Sequence, residues 1–372
     1  FMFLIYIYHL DKKMNKQLII FNPSIEDGGV EKNLFLISNY LANKNIKVTI
    51  ISADKSKRNR FNKNVKFDYP KHINFENSGR YKKYFYSLIL LVKKIFLTKD
   101  IVVFSFQANI YTLLICKIFN IKTIVRLNTA PQGWDHNFLK NKIYKFFIKK
   151  ADGIIVNSLK FKNEVKLRYN VNSKLILNPF DFNHIKSQAN KKSKKIFPDK
   201  VVKLINVGRL TDQKDQILLL KAINLIKSKL NVFLVIIGKG QNYKKLKKYI
   251  HDNNLHNHVK LLGYKKNPFK YIKQSDIFVL SSRYEGSPNV LVEALILKKL
   301  IISTDCPTGP KEILKNGKYG KVFPVGNYKI LSKLLLNSKS ELKKIINYDK
   351  YLHIYKKEIN CEKYYKYIER FI

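Results

Sequence analysis

Short apolar runs rich in β-branched residues alternate with amphipathic helical patterns along the chain. In the first half, the runs that predict strands are Gln17–Phe21, Lys47–Ser52, Ile101–Phe104, Lys122–Leu127, Gly153–Asn157 and Leu175–Leu177. In the second half they are Val201–Val207, Val232–Ile237, Val259–Leu262, Asp276–Ser281 and Leu300–Thr304. This alternation is typical of parallel sheets joined by crossover helices. It predicts an α/β fold with two doubly wound, Rossmann-like domains facing a cleft, with ligands bound beyond the carboxyl ends of the strands.

The chain changes character between the two series. Residues 183–200 are polar, lysine-rich and unpatterned, and we interpret them as an interdomain linker. The predicted domains are therefore residues 14–182 and residues 201–347. Residues 348–372 predict a helical segment, studded with lysine and tyrosine, that crosses back to the first domain.

Composition adds a strong basic excess to this picture. The 372 residues include 72 Lys and Arg against 26 Asp and Glu, a formal charge of +46, yet 45% of them are hydrophobic. That apolar content excludes a disordered basic tail. Only eight of the 72 cations are arginine, whereas a reader of DNA bases would be expected to use more arginine. The bias towards lysine, asparagine and isoleucine indicates an A/T-rich genome, with an anionic partner as the alternative.

Cysteine usage and the first residues bear on localisation. Three widely spaced cysteines form no disulfide framework or zinc motif, which fits a reducing cytoplasm. The apolar run at the start is about ten residues long, too short to span a bilayer. We interpret Met14 as the true start and residues 1–13 as upstream translation; a short interfacial anchor is the alternative.

Two strand exits carry residues suited to phosphate chemistry. Gly28 and Gly29 lie between a strand and a helix, where paired glycines allow close backbone approach to a ligand. The spacing is not GxGxxG, which disfavours a nicotinamide or flavin site. At the second exit, Arg209 and Lys214 flank the start of a helix that Asp215 could cap. Two cations at a helix start suit a diphosphate.

The third exit, residues 281–293, is the most distinctive. Ser287 is a suitable N-cap and Pro288 a suitable first helical residue, so the following N–H groups, those of Asn289 and Val290, would face an anion. Two carboxylates flank this helix start, and carboxylates can accept hydrogen bonds from neighbouring sugar hydroxyls. They are Glu285 and Glu293.

These exits, in this order, resemble the GT-B glycosyltransferases of family 4, the retaining "glycosyl transferases group 1". The matching segments are Gly28–Glu31, Ala151–Ser158, Asn178–Pro179, Asn206–Leu210 with Lys214, Ile236–Gly240 and Glu285–Ala294. The last contains the paired glutamates of that family, separated by seven residues. Many members have a histidine after a strand like KTIVRL, whereas this chain has Asn128 near that place, with His136 in the loop beyond it.

The resemblance implies roles for these residues. Arg209 and Lys214 would bind the nucleotide diphosphate and stabilise it as a leaving group, while Glu285 would contact the donor sugar and Glu293 the ribose. The other donor-binding positions implied are Gly28, Gly29, Gly208, Gly238, Gly286, Ser287, Asn289 and Val290. Asn128 and His136 would lie on the acceptor side. The family needs no cofactor or divalent metal, and the donor would be a nucleotide-diphosphate sugar, with UDP as the expected nucleotide.

The acceptor is less well defined by the sequence. Arg80–Phe96 and His136–Lys150 interleave basic, aromatic and aliphatic residues, as do helices that lie on an anionic membrane leaflet; ordinary crossover helices are the alternative. Membrane docking would favour a saccharide or lipid-linked acceptor in capsule or lipopolysaccharide assembly, at the cytoplasmic face of the plasma membrane. Two rival interpretations remain: a GT-B sugar-nucleotide epimerase, and a non-enzymatic nucleic-acid-binding protein. Carboxylates at the third strand exit argue against the second rival, because they would repel phosphates, and we expect no nucleic-acid partner.

Overall fold

The computed structural model describes residues 17–26, 28–75, 78–128, 138–342 and 348–372. This part of the chain divides into two compact units. Unit 1 runs to Pro179 and also includes Lys357–Ile372, whereas unit 2 is Phe180–Lys356. The interpretation of Met14 as the start concerns residues outside the described ranges.

Unit 1 is built on a parallel sheet, with seven strands among its described residues. They are β1 (Gln17–Phe21), β2 (Lys47–Ile51), β3 (Lys66–Asp68), β4 (Ile101–Ser105), β5 (Lys122–Arg126), β6 (Gly153–Val156) and β7 (Lys174–Leu175). Their order across the sheet is β3-β2-β1-β4-β5-β6-β7. Ile19 in β1 lies opposite Thr49 of β2 and Val103 of β4. These residues are fully buried, because crossover helices cover both faces of a parallel sheet.

The helices of unit 1 come from both ends of the chain. They are α1 (Gly29–Asn43), α2 (Arg80–Leu97), α3 (Asn109–Ile118), α4 (Phe138–Ile148), α5 (Leu159–Tyr169) and α15 (Lys357–Ile368). Tyr364 and Ile368 of α15 are fully buried in the same core as Leu18 and Ile20 of β1. The predicted return of the C-terminal helix to the first domain is therefore confirmed. The return begins at Lys357, because residues 348–356 cluster with unit 2.

Unit 2 repeats the architecture with six parallel strands among its described residues. They are β8 (Val202–Val207), β9 (Val232–Ile237), β10 (Val259–Gly263), β11 (Ile277–Leu280), β12 (Leu300–Thr304) and β13 (Lys321–Phe323). The order is β10-β9-β8-β11-β12-β13, so the strand order reverses between β8 and β11. Edge strands β3 and β13 have only three residues each, too few to show a period, and the sequence patterns missed both.

The helices of unit 2 include one where a linker was predicted. They are α6 (Phe182–Asn190), α7 (Gln216–Ile226), α8 (Tyr243–Asp252), α9 (Phe269–Gln274), α10 (Asn289–Ile296), α11 (Pro310–Ile313), α12 (Tyr328–Leu336), α13 (Ser338–Glu341) and α14 (Asp349–Leu352). The linker prediction is wrong for residues 183–190, which lie within α6. The Asp181 side chain caps α6 by accepting from the His184 N–H at 2.9 Å, and Ile185 and Ala189 are buried. Ile185 and Ala189 are the buried residues of this short helix, too few for its apolar pattern to be recognised in the sequence.

The prediction of two doubly wound, Rossmann-like α/β domains is confirmed by the two sheets. Within the described residues, no helix is both long enough and apolar enough to cross a membrane.

Candidate functional site

The loop that follows β8 carries the two predicted diphosphate ligands. Arg209 is exposed, and the Lys214 side chain folds back over Gly208. A Cβ placed at Gly208 would lie 3.7 Å from the Lys214 side chain, in ordinary contact with it. The loop therefore directs both cations to the carboxyl end of β8, next to the point where the strand order reverses. In doubly wound sheets this is the place where ligands bind.

Gly238 holds this loop against its neighbour. A Cβ at Gly238 would be only 1.8 Å from the carbonyl oxygen of Gly208. The N–H of Leu210 donates to the carbonyl of Lys239 at 3.0 Å, which joins the two loops edge to edge. The two backbones therefore approach so closely that only glycine fits at position 238, whether or not this residue also binds the donor.

Glu285 lies at the end of the neighbouring strand exit and pairs with Lys214. The Lys214 ammonium donates to Oε1 of Glu285. Ser282 Oγ donates to the same oxygen at 2.6 Å, and Thr308 Oγ1 donates to the Glu285 carbonyl. Glu285 is 7% exposed, so its carboxylate is held by these partners at the edge of the site.

Further hydrogen bonds connect the loop after β8 to the loop after β11. The N–H of Arg283 donates to the Gln213 carbonyl at 2.8 Å, and Gln213 Nε2 donates to the Tyr284 carbonyl at 3.0 Å. Ser281 Oγ donates to the Lys214 carbonyl at 2.7 Å. The positions of Lys214 and Glu285 are therefore set by a shared backbone network.

Asp215 does not cap α7 through its side chain, contrary to the prediction. It occupies the N-cap position in the left-handed region, with φ 45° and ψ 51°. Its carboxylate instead pairs with the guanidinium of Arg283 at 3.0 Å. A non-glycine residue in this region is strained, and such strain is often found at functional sites.

Helix α10 begins one residue later than predicted. Pro288, with ψ 103°, occupies the N-cap position, so Ser287 precedes the cap. A Cβ at Gly309 would be 2.6 Å from Cδ of Pro288 and 2.9 Å from the Gly286 carbonyl oxygen, so this glycine fits closely beneath the loop. Asn289 and Val290 form the first turn of α10, as the prediction requires.

Glu293 lies one turn into α10 and is 1% exposed. The structure thus brings together the predicted donor-binding residues of the second half of the chain: Gly208, Arg209, Lys214, Gly238, Glu285, Gly286, Ser287, Asn289, Val290 and Glu293. All of them lie on the loops or helix starts beyond the carboxyl ends of β8, β9 and β11.

Cys306 is a residue of this site that sequence reasoning did not select. Burial, with a smaller contribution from the charge of Glu285, raises the pKa of its thiol to about 12. The thiol therefore stays protonated near neutral pH and contributes packing beside Glu285, because the thiolate is the nucleophilic form.

The loop of unit 1 that contains Gly28 and Gly29 is hydrogen-bonded to the buried carboxyl group of Glu31. Gly29 is the first residue of α1, and the Gly28 N–H donates to Oε2 of Glu31 at 3.1 Å. A Cβ at Gly28 would be 2.7 Å from that oxygen. Gln107 Nε2 donates to the other Glu31 oxygen at 3.2 Å. Burial raises the pKa of Glu31 to about 7.

Asn128 is held at both ends of its amide. Its Oδ1 accepts from Arg126, and its Nδ2 donates to the Phe106 carbonyl at 2.6 Å. Arg126 is 1% exposed and also donates to the Tyr364 hydroxyl of α15 at 2.9 Å. Asn128 thus has a structural role at the end of β5, which sequence reasoning missed. The other acceptor-side candidate, His136, lies outside the described residues.

Among the described residues, no group of three or more His, Cys, Asp or Glu side chains is placed to hold a metal ion. Arg209 and Lys214 are among the positive groups at the strand exits of unit 2.

Two doubly wound parallel sheets, one of them bearing this site, define the GT-B architecture. A solved structure of Anabaena HepE in complex with UDP has the same fold, with a TM-score of 0.69 at 16% identity; the superposition covers 95% of this chain and 98% of that one.

The family matches divide the chain in two. Residues 27–184 match the family described as "Glycosyltransferase Family 4", and residues 187–351 match "Glycosyl transferases group 1". The chain belongs to this family of GT-B glycosyltransferases, and the resemblance seen in the sequence is confirmed.

Two curated relatives align with more than half of the chain. An uncharacterized glycosyltransferase of Methanocaldococcus jannaschii is 39% identical over 54% of this chain and 53% of its own length. A Campylobacter jejuni enzyme is 30% identical over 58% of this chain and 60% of its own length. Its name is N-acetylgalactosamine-N,N'-diacetylbacillosaminyl-diphospho-undecaprenol 4-alpha-N-acetylgalactosaminyltransferase. The aligned part of the chain thus spans little more than half the length of these two relatives.

Proposed function

We propose that the protein is a retaining glycosyltransferase. It moves a sugar from a nucleotide-diphosphate sugar to a saccharide or lipid-linked saccharide during the biosynthesis of cell-surface polysaccharide, lipopolysaccharide or capsule. The observation that carries the proposal is the Lys214–Glu285 pair beside Arg209, at the point where the strand order of unit 2 reverses. The two family matches, "Glycosyl transferases group 1" and "Glycosyltransferase Family 4", support the transferase class.

The first step of the proposed reaction is departure of the nucleotide diphosphate. The bond between the anomeric carbon and the diphosphate oxygen breaks, and negative charge grows on that oxygen. Arg209 and Lys214 stabilise this charge, together with the first-turn N–H groups of α10. We propose that the reaction is metal-independent because these groups supply the positive charge that the leaving group requires.

Glu285 faces the sugar in the proposed complex. Because Lys214 and Ser282 already hold one of its oxygens, the carboxylate is oriented without further loss of side-chain entropy. It accepts hydrogen bonds from sugar hydroxyls, while Glu293 accepts from the ribose. The acceptor hydroxyl attacks the oxocarbenium-like carbon from the face that the diphosphate leaves, and its proton passes to the departing diphosphate. The anomeric configuration is therefore retained.

The choice of UDP and of a lipid-linked acceptor rests on the relatives. The Anabaena structure contains UDP, and the name of the Campylobacter enzyme places its acceptor on diphospho-undecaprenol. We carry both features over to this protein as part of the proposal. A cytoplasmic location follows, because nucleotide sugars are cytoplasmic substrates and the cysteines fit a reducing compartment.

We also propose that unit 1 docks on the cytoplasmic face of the plasma membrane. Helix α2 buries Lys83, Ser87 and Leu91 and exposes the opposite stripe. Large apolar side chains, each at least 44% exposed, form this stripe and continue it on α3: Tyr81, Phe85, Ile89, Phe96, Leu97, Tyr111, Leu114 and Ile118. The Phe96 and Phe119 rings join the helices at 5.0 Å. Neither helix contains an acidic residue, and the exposed Lys82 and Lys93 of α2 suit an anionic leaflet.

A screen of nucleotide sugars tests the transferase proposal. We expect one or more UDP-sugars to raise the midpoint of thermal unfolding and to be hydrolysed slowly without acceptor. Arg209→Ala should lose both effects, whereas Arg370→Ala, a matched change outside the site, should keep them. No response to any nucleotide sugar, or full turnover by Arg209→Ala, would contradict the proposal. Release of an epimerised nucleotide sugar would instead favour the epimerase alternative.

A further inference from the structure

A basic cavity lies on unit 2, away from the donor loops. Its volume is about 460 Å³, and α6, α9 and the segment leading into β8 form its walls. Five lysines line it: Lys191, Lys195, Lys203, Lys270 and Lys273. The other lining residues are Ala189, Asn190, Ser193, Phe197 and Gln274, so the lining contains no carboxylate. Lys203 is the second residue of β8, whereas Arg209 follows the other end of that strand, about 20 Å away by strand rise.

Hydrogen bonds fix the walls of this lysine cavity. Gln274 Nε2 donates to Ser193 Oγ at 2.7 Å and to the Lys194 carbonyl at 3.2 Å, and its Oε1 accepts from the Ile196 N–H at 3.1 Å. The segment leading into β8 is thereby attached to α9. The Lys273 ammonium donates to Asn190 Oδ1 at 2.8 Å, which links α9 to α6. The residues expected to be a linker thus form part of a shaped cavity.

A sixth lysine, Lys299, lies behind the wall of the cavity that α9 forms. Lys299 donates to the carbonyls of Lys273 and Ser275, both at 2.7 Å, at the end of α9. Burial lowers the pKa of Lys299; Asp276 opposes this, and the charges of Lys273 and Lys203 lower it further. The positive charges of Lys273 and Lys203 therefore act on the Lys299 ammonium behind the cavity.

The acids near this cluster offset little of its charge. The Asp199 carboxylate pairs with Lys195 at 2.5 Å on the exposed rim, with side chains 79% and 61% exposed. Asp276 accepts from the backbone N–H of Lys203 at 2.8 Å. Five ammonium groups around one cavity, with an acid paired to one of them, favour a ligand that carries several negative charges.

We propose that the lysine cavity is a second anion site, which binds a short chain of phosphate groups such as a free oligophosphate. Lysine ammonium groups are compact charges that suit phosphate oxygens, and five of them exceed what a single phosphate needs. The volume lies in the range of small-molecule sites. The half-buried Lys203 and Lys270 form the inner part, while Lys191, Lys195 and Lys273 are exposed at the rim. The site goes beyond the proposed transferase function and does not depend on it.

Calorimetric titration of the full chain with sodium tripolyphosphate, in about 0.1 M NaCl without nucleotide sugar, tests the proposal. The variant K191Q/K195Q/K273Q removes the rim charges. Its control, K244Q/K245Q/K248Q, removes three lysines of α8; each set includes one i,i+4 ion pair, Lys195–Asp199 or Lys248–Asp252. We expect the rim variant to bind about tenfold more weakly and the control to change by less than about threefold. Equal weakening in both variants, or no binding by the unaltered protein, would overturn the proposal.

Two further measurements distinguish binding in the lysine cavity from binding at the donor loops and from loss of binding through misfolding of a variant. The variant R209Q/K214Q removes both cations of the donor loop, so the lysine cavity should be the site that still binds tripolyphosphate. In this background the rim substitutions should weaken binding about tenfold, whereas loss of all binding in R209Q/K214Q would assign the anion to the donor loop instead. Lysine acetylation of the unaltered chain, read by mass spectrometry, needs no variant. Tripolyphosphate should protect Lys203 and Lys270 but not Lys244 and Lys245, and equal labelling of all four would contradict the site.

Discussion

The ammonium of Lys214 pairs with the carboxylate of Glu285, although 71 positions separate them in the chain. Lys214 follows β8 and Glu285 follows β11, and these strands are adjacent only in the folded sheet. The cation that would bind the diphosphate therefore also orients the carboxylate that would contact the sugar. In the proposed reaction the two side chains act as a unit.

Glu285→Gln and Lys214→Met should each lower turnover by about 100-fold or more. Lys214→Met removes a positive charge that would stabilise the departing diphosphate, whereas Glu285→Gln removes the carboxylate that orients Lys214 and would contact the sugar. The double variant should lose much less than the product of the single losses, since each change already disrupts the pair. Release of UDP from the donor identified by the screen measures this. Lys321→Met removes an exposed pair with Glu341 in the same unit and is the control. Multiplicative losses would show that the pair is not a functional unit.

Gly238→Ala should lower the free energy of unfolding by about 3 kcal/mol or more, because its Cβ would overlap the Gly208 carbonyl oxygen and push two loops apart. Gly326→Ala is the matched control. Gly326 has φ 79° and nothing within 4 Å of an added Cβ, so only backbone strain of about 1–2 kcal/mol is expected there. Urea unfolding measures both, and similar losses would mean that loop packing at Gly238 is looser than the structure indicates.

Stability should depend on pH through Glu31. Its pKa rises from 4.5 to about 7 on folding, so the folded chain keeps a proton that the unfolded chain releases. The resulting contribution is fully present below pH 4.5 and is lost as pH rises through 7, up to about 3 kcal/mol.

Glu31→Gln should remove that dependence, because its amide stays neutral and can still accept from the Gly28 N–H. Compared with the unaltered protein, the variant should therefore gain stability between pH 4.5 and pH 8 in urea unfolding. Glu358→Gln, which breaks an exposed pair with Lys357 in the same unit, is the control and should show little change with pH. A difference between Glu31→Gln and the unaltered protein that is constant with pH would contradict the assignment.

The apolar stripe of α2 and α3 should control membrane binding. Phe85→Ser with Phe96→Ser should weaken binding to anionic phosphatidylglycerol vesicles about tenfold or more, because two exposed rings would no longer enter the interface. Co-sedimentation measures this, with phosphatidylcholine vesicles as the neutral comparison. Leu225→Ser with Tyr243→Ser, at exposed positions of unit 2, should bind as the unaltered protein does. Equal loss in both variants would argue against α2 as the docking face.

Much of the fold was determined by local pattern. Strands such as Val232–Ile237 are buried along their whole length, so their apolar runs are long enough to recognise. The resemblance that identified the family was carried by short segments such as Glu285–Ala294. Patterns failed where few residues reach a core: α6 buries only Ile185 and Ala189 and was taken for a linker.

Only the tertiary structure decided how the chemical groups meet. The Lys214–Glu285 pair, the Asp215–Arg283 pair and the anchoring of Asn128 by Arg126 all join residues whose relation depends on strand order or on a returning helix. Residue type and spacing indicate which charged and polar side chains the chain contains and which strand or helix each of them follows. They do not state which strands become neighbours or how far a side chain is buried. Those two quantities set the contacts of Glu285, the raised pKa of Glu31 and the shape of the lysine cavity.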